Sequence, residues 1–491
     1  MKIYINIILF LLCSMVNANA EESQVMTANN ALMKMTVENI QLTDKESLGW
    51  VGASYLLETY DNIFVGATLY GAVTGQRGGF FSLGAEALWC KQIKDQWFSG
   101  VGIYIGGGGG GGANNLVGGG LTIRPYFDIL YQLKDYQVGI STSQVRFPYG
   151  TATSRQLGFV FLSSQDFYTV KYNEQPAVAQ KPVDGGIGFH RVRATVASYR
   201  GYLLRSDVQD TATMLGARSE HWMTPTSYWG VEIVGAAGGK LGGYAEYLGF
   251  LGVEYPMWTD AINIGARIGI GMGGGAAVLT QGGMLAKAAV NLAVDITKDA
   301  QVSLESGYVA AVQGAMQAQY VGVEFTVDLD NPYAEPYNFY TTDYVWHVGA
   351  FNYHTVTPSG SVNAVPFSAS EVVVNRFANE HLYYGVHMMY AAKGGRYGGY
   401  GAAFVDLGYR IPLFERKSSL SLEVAVGGGG GGGTSVGGGA LYMGNIYADY
   451  QWENGVGIRL GAGRLKAFQG TLDTAVTEFL VTYEYTVKER R

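Results

Sequence analysis

The sequence predicts an all-β fold: an antiparallel transmembrane β-barrel built from three homologous repeats of about eight strands each, with a Gly-rich hairpin in each repeat. Three observations carry that prediction. Apolar residues alternate strictly with small or polar ones along many segments, glycine clusters return at a nearly fixed interval, and no later segment holds an apolar run long enough for a membrane helix.

The N-terminus comes first in the chain. Lys2, the apolar run from Ile5 to Leu12 and the small-residue pattern Ala18-Asn19-Ala20 make an export signal over residues 1–20, cleaved after Ala20. The apolar run is far short of the ~20 residues that a spanning helix needs. Cys13 lies inside it behind Leu12 rather than behind a small residue, so a lipid-anchored cysteine is not expected. The mature chain then keeps one cysteine, Cys90, which leaves no internal disulfide and no cysteine-based metal centre.

Composition narrows the class. With 72 Gly, 35 Tyr and 21 Phe against 11 Pro and 15% charged residues, the chain fits neither an ordinary soluble enzyme nor a disordered protein. A formal charge of −7 offers no basic footprint, and nucleic acid is not expected as a partner.

The repeats follow from the glycines. Gly106–Gly112 with Gly118–Gly120 is echoed by Gly273–Gly275 with Gly282-Gly283, and again by Gly427–Gly433 with Gly437–Gly439. The second clusters start at 118, 282 and 437, intervals of 164 and 155. Each is followed by a strand-like run ("LTIRPYFDILYQL", "MLAKAAVNLAVDI", "ALYMGNIYADYQW") and then a polar turn holding Asp135, Asp299 or Asn454. Upstream, "GVEYPMW" at Gly252 and "GYRIPLF" at Gly408 match, each with a proline that should end a strand. Connectors around Pro176 and Pro182 and around Pro332 and Pro336 divide the chain into repeats at 30–175, 188–330 and 344–486.

Within the repeats, period two is explicit. Ile262, Ile264, Ala266, Ile268, Ile270 and Met272 share one face of a strand, and Asn263, Gly265, Arg267, Gly269 and Gly271 share the other. Leu420, Leu422, Val424 and Val426 oppose Ser421, Glu423 and Ala425; Val456, Ile458 and Leu460 oppose Gly457, Arg459 and Gly461. The non-apolar face is mostly Gly, Ala, Ser and Thr, and many strands begin or end in an aromatic residue. That pattern favours apolar faces turned to lipid over a secreted or periplasmic β-sandwich with apolar faces turned inward.

On these strands the chain resembles the bacterial outer-membrane β-barrel proteins as a class. The resemblance implies a Gram-negative outer-membrane location, contact with membrane lipid and lipopolysaccharide, and insertion by the barrel-assembly machinery. One departure stands out: such barrels commonly finish on an aromatic residue, whereas Tyr485 is followed here by "TVKERR". Oligomeric state is left open.

The run "GGGGGGGANNLVGGG" then needs a cause, since each glycine in a strand interior costs about 0.5–1 kcal/mol relative to Ala. A sharp bend, or another backbone pressing close, would supply one. The structural glycines of this kind are Gly106, Gly112, Gly273, Gly275, Gly427 and Gly433. A phosphate-cradling loop would need Lys-Ser/Thr and a helix after the glycines, and neither follows.

Chemistry is faint. The six histidines, His190, His221, His347, His354, His381 and His387, do not recur with the repeats, and His381 and His387 are expected at interfaces or loops rather than as ligands. No catalytic residue, metal site or cofactor is assigned, and an enzyme is not expected. The inward polar residues Asn263, Arg267, Asp406, Arg410, Glu423 and Arg459 are candidate lumen-lining groups, either as a salt-bridge network that fills the interior or as a selectivity lining. One large barrel of about 24 strands is expected, with three small barrels as the alternative, and proximity of Tyr485 to the first strand near Met35 would mark the single closure. The expected function is a porin-like channel for small solutes; the alternative is a non-conducting structural or surface-interaction barrel.

Overall fold

The strands close on themselves every eight. In the computed structural model, described for residues 26–170, 189–329, 333 and 339–490 apart from positions 44, 135, 206–207, 258, 359–362, 396, 414–416 and 453–454, three antiparallel barrels follow one another along the chain. The export signal over 1–20, the connectors around Pro176, Pro182 and Pro332, and the turn residues Asp135 and Asn454 lie outside the described residues.

The first barrel comprises β1 (Met26–Thr43), β2 (Glu46–Tyr60), β3 (Ile63–Thr74), β4 (Phe81–Lys94), β5 (Trp97–Gly109), β6 (Thr122–Leu133), β7 (Tyr136–Arg146) and β8 (Thr153–Val170), with a one-turn helix α1 (Asn114–Val117) in its longest loop. The second comprises β9 (Arg191–Arg205), β10 (Val208–Thr224), β11 (Ser227–Ala236), β12 (Ala245–Met257), β13 (Thr259–Gly274), β14 (Met284–Thr297), β15 (Ala300–Ala311) and β16 (Gln317–Asp328). The third comprises β17 (Phe339–Val356), β18 (Val365–Phe377), β19 (Leu382–Lys393), β20 (Gly401–Leu413), β21 (Ser418–Gly430), β22 (Ala440–Gln451), β23 (Val456–Ala467) and β24 (Asp473–Arg490).

Closure is read from the register. β1 pairs with β8 from Met26↔Val170 to Glu38↔Gly158, β9 with β16 from Arg191↔Asp328 to Tyr202↔Gln317, and β17 with β24 from Phe339↔Arg490 to Tyr353↔Val476. Between the first and third barrels the ladder contains one pair, Thr486↔Val170. The expectation of a single barrel of about 24 strands is therefore corrected to three closures of eight. The reason is physical. An eight-stranded wall encloses just enough space for its inward side chains to fill, and the inward residues here are large: Trp50, Tyr70, Arg124, Arg193, Tyr199 and Tyr353 are all below 2% exposed. Tyr485 does pack beside Ala31 and Leu57 near the start of the chain, but across the outer walls of two barrels rather than through a shared ladder. Proximity there cannot mark a single closure.

Alternation sets which side meets what. Leu420, Leu422, Val424 and Val426 are exposed, as are Ile264, Ile268, Ile270, Val321, Val323 and Leu460, while Ser421, Glu423, Arg267, Glu324 and Arg459 are buried. The apolar wall is thus on the outside of every barrel, where water would oppose it and hydrocarbon would not. Aromatic residues ring both rims. Tyr60, Trp97, Tyr136, Tyr255, Tyr409, Tyr450 and Trp452 are exposed at the end with the short turns, and Tyr149, Tyr202, Tyr308, Tyr442 and Phe468 at the other.

The glycine clusters lie where barrels meet. A Cβ on Gly79 would run into the backbone nitrogen of Gly275 in the second barrel; one on Gly243 would fall 2.5 Å from the nitrogen of Gly431 in the third; one on Gly399 would fall 2.5 Å from the nitrogen of Gly110 in the first. The three contacts run head to tail and close a ring. Backbone hydrogen bonds cross two of them, from Gly78 N to Gln281 O (2.6 Å) and from Gly398 N to Gly118 O (3.1 Å). Gly275 and Gly431 also sit at φ of +109° and +87°, which a side chain disfavours. Close approach of another backbone is therefore the cause, at an inter-barrel junction. The named glycines divide by role. Gly275 is in the ring, whereas Gly106, Gly273 and Gly427 are crowded by their own barrel, by Tyr104, Leu285 and Ala403 respectively. Gly112 and Gly433 are turn residues with positive φ and little around them.

At the centre of the ring an apolar cluster draws on all three barrels: Phe81 and Leu83, Tyr247 and Met272, Val372 and Tyr390. Phe81 lies 4.9 Å from Tyr247 and 6.3 Å from Tyr390, centroid to centroid. The space between barrels is filled there.

Candidate functional site: the three barrel interiors

The inward faces of the strands bring charged side chains together in layers between apolar plugs. In the first barrel, Trp50, Tyr70, Phe80, Tyr104, Val117 and Phe147 fill the glycine-loop end, and Leu32, Leu56, Leu88, Cys90, Leu130 and Leu162 fill the other. Between them Lys34 meets Glu86 and Asp128 at 3.0 Å each, and Arg124 binds Glu38 through two nitrogens at 2.9 and 2.5 Å. Such forked pairs are the strongest of their kind, and removing one partner would strand a charge in the interior.

The second barrel is the most highly charged. Arg218 reaches Glu220 (3.0 Å), Glu305 (3.0 Å) and Glu324 (2.9 Å); Arg193 reaches Glu220 (2.8 Å) and Glu254 (2.6 Å); Arg191 reaches Glu254 (2.9 Å) and Asp328 (2.7 Å). Arg267 bridges Glu232 and Glu305 at 2.7 Å each, and Lys287 closes the layer on Glu232. The cavity beside Tyr199, Glu232, Arg267 and Lys287 holds about 10 Å³. That is at the lower limit for one water molecule.

The third barrel is built differently. Its long-chain cations sit near the short-turn end, where Arg459 pairs with Asp449 at 2.6 Å and Arg410 lies over the Phe377 ring and 3.4 Å from Glu484. A cavity of about 20 Å³ opens beside them, lined by His347, Arg410, Asp449 and Arg459 among others. Deeper in, His387 is surrounded by Glu371, Asp406, Glu423 and Glu478 with no lysine or arginine ion pair among the described residues.

The candidate lumen-lining residues all come from inward positions. Arg267, Asp406, Glu423 and Arg459 are at most 4% exposed and bonded within their networks. Asn263 and Arg410 are half-buried, Asn263 lying 3.4 Å from Asp295. They belong to two interiors, not one: Asn263 and Arg267 to the second barrel, the rest to the third. His381 stays at an exposed turn, but His387 is wholly buried, which corrects its expected place at an interface or loop. Period two from Tyr383 through Met389 already puts it on the inward face of β19. A second missed signal is Gly-Gly-aromatic at Gly78-Gly79-Phe80, Gly242-Gly243-Tyr244 and Gly398-Gly399-Tyr400, at intervals of 164 and 156. It marks the other half of each junction.

Closed antiparallel barrels with apolar outer walls, aromatic rims and polar interiors suit a chain that crosses a bilayer on strands. The chain has the fold of a bacterial outer-membrane β-barrel protein. No family model and no curated protein matches it. Among solved structures it is similar to the outer membrane protein OpdK of Pseudomonas aeruginosa (9% identity, TM-score 0.24, covering 94% of this chain and 99% of that one). It is also similar to OccK11 (OpdR) of the same organism (10%, 0.23, 95% and 98%) and to OccAB4 of Acinetobacter baumannii (8%, 0.21, 94% and 99%). The chain's barrel fold is read from its own strand closures and apolar outer walls.

Proposed function

We propose that this is an outer-membrane protein whose three barrels are closed to solute passage and serve as a wide structural or surface-presenting anchor. The carrying observation is the packed interior: the cavities beside the charged groups of the second and third barrels hold about 10 and 20 Å³, and the axis between barrels is occupied by Phe81, Tyr247 and Tyr390. A hydrated ion needs a continuous aqueous path, which the apolar side chains clustered at both ends of the first barrel and the layered ion pairs of the second would interrupt. Of the two functions the sequence leaves open, this favours the non-conducting one over the channel for small solutes.

Orientation follows from loop length. Short turns conventionally face the periplasm and longer loops the exterior, which puts the glycine junctions outside. Lipid and lipopolysaccharide would cover the apolar walls, and the barrel-assembly machinery would insert the chain. Reconstitution into planar bilayers tests the reading. A silent bilayer holding demonstrably inserted protein is expected, and stepwise conductance from the wild-type chain would restore the channel.

A further inference from the structure

Buried carboxylates in the first two barrels are met by lysine or arginine: Glu86 and Asp128 by Lys34, Glu38 by Arg124, Glu220 and Glu254 by Arg193, Glu305 by Arg218 and Arg267. The centre of the third barrel breaks that rule. Glu371, Asp406, Glu423 and Glu478 converge on one imidazole, and Arg459, which reaches the cluster's edge at Asn375, is already engaged by Asp449. All four carboxylates and His387 are at most 3% exposed. His387, as an imidazolium, would offset at most one of these four charges, and the remainder are costly at that depth unless a further positive charge balances them.

Geometry indicates what. His387 Nε2 lies 3.1 Å from Glu423 Oε1 and 3.4 Å from Asp406 Oδ2. Donor atoms around a first-row metal with bonds of about 2.0–2.2 Å stand roughly 3.0–3.5 Å apart, in either octahedral or tetrahedral coordination. Asp406 Oδ2 has no hydrogen-bond partner although buried, and Nε2 of His387 meets only the two carboxylate oxygens of the cluster, Glu423 Oε1 and Asp406 Oδ2. Neither atom has a partner outside the cluster to give up on ligating an ion.

The surrounding contacts hold these atoms in place. Nδ1 of His387 is 2.9 Å from Glu371 Oε1, the carboxylate–imidazole contact that fixes Nε2 as the lone-pair nitrogen. Asn375 Nδ2 donates to Asp406 Oδ1 at 3.1 Å, leaving Oδ2 for the site. Tyr383 donates to Glu423 Oε2 at 3.0 Å and Tyr447 to Oε1 at 3.1 Å. The four partners come from β18, β19 and β22, so the shell is built across the barrel.

We infer that His387, Asp406 and Glu423 form a divalent metal site inside the third barrel, with Glu371, Asn375, Tyr383 and Tyr447 as its supporting shell. One imidazole and two carboxylates select a borderline first-row ion, from Mn²⁺ to Zn²⁺, over Mg²⁺ or Ca²⁺, which take oxygen donors. Because the site is enclosed, the ion enters as the barrel closes, and loading is coupled to assembly.

The test is refolding of the full-length mature chain from urea into detergent with Co²⁺, followed by gel filtration, metal analysis and visible absorption. About one Co²⁺ per chain with d–d bands is expected. Asp406→Asn should lose most of it, and Glu371→Gln, which touches no metal, should weaken binding roughly 10–100-fold. Heat-resistant migration on a gel reports whether each variant has closed. If Asp406→Asn does not close, the wild type decides alone: refolding with a chelator should lower its urea midpoint, and an unchanged midpoint would overturn the site. Folded wild type without metal after refolding in Mn²⁺, Co²⁺ or Zn²⁺, or equal loading of the wild type and Asp406→Asn, would overturn it too.

Discussion

The hydroxyls of Tyr247 and Tyr390, which belong to different barrels, are 2.7 Å apart on the axis where all three barrels meet. Neither ring has water to fall back on, since the two residues are 8% and 5% exposed. Replacing either by Phe leaves the other hydroxyl buried and alone, at a cost of about 1–3 kcal/mol. Replacing both removes donor and acceptor together, so the double variant should be less destabilised than the sum of the singles. A double-mutant cycle by urea unfolding in detergent measures this coupling; strict additivity would mean that the two barrels do not touch there.

The glycine ring predicts a sharp contrast between positions. A Cβ on Gly429 would lie 2.6 Å from Cβ of Ala402 and 2.8 Å from Cδ1 of Leu441, and one on Gly431 would strike the carbonyl of Gly399 at a backbone φ of +87°. The variant with Val at both sites should fail to assemble, losing more than the ~1–3 kcal/mol of one overpacked site although Val is the better strand former. Gly249→Ala is the control, since its Cβ would meet nothing within 4 Å. Assembly of the double Val variant with normal heat-resistant migration would make the run a tolerated expansion instead of a tightly packed turn within the third barrel.

At the rim of the first barrel, Arg77 on the loop before β4 binds Glu46 through Nε at 2.6 Å and Nη2 at 2.8 Å. That hydrogen-bonded pairing, aided by the guanidinium charge, holds the Glu46 carboxyl below its ordinary value of 4.5. A lowered carboxyl contributes stability above the unfolded-state value and loses it as the pH falls through the folded-state one. Acidification below about pH 4.5 should therefore loosen this loop, which also carries the Gly78 contact to the second barrel. Glu46→Gln should flatten that part of the pH profile of thermal unfolding; an unchanged profile would remove the pair from the account. The effect is modest because both side chains are about a quarter exposed.

Strand faces were legible because period two is a local property. Leu422 outward and Glu423 inward follow from adjacent positions alone. The number of closures was not, because it depends on which distant strands pair, and β8 finding β1 rather than β9 leaves no mark in either strand's pattern. Inward bulk was the available clue: Trp50, Arg193 and Tyr353 suit an eight-stranded interior and would leave a 24-stranded one empty. The glycines were half legible. Their crowding was expected, but their neighbours belong to other repeats, and the Gly242-Gly243 counterpart is too short a motif to stand out in a chain with 72 glycines. His387 was misplaced through its distance from any recurring motif, although the parity of Tyr383 and Met389 located it.

Arg218 shares its guanidinium among Glu220, Glu305 and Glu324 at 2.9–3.0 Å. Truncation to Ala would leave three carboxylates short of a partner in a buried layer where Arg218 is 2% exposed, so the cost should be about 3–5 kcal/mol. Arg464 offers the comparison. It binds Asp473 at 2.6 Å, as close as Arg193 binds Glu254, but is 63% exposed, and Arg464→Ala should cost little because solvent screens the pair. Chemical unfolding of the two variants in the same detergent separates burial from distance as the source of stability. It also bears on function. A sealed interior makes the two costs differ several-fold, whereas similar small losses would mean that water already reaches Arg218, that the second barrel is hydrated along its length, and that the non-conducting reading must be abandoned.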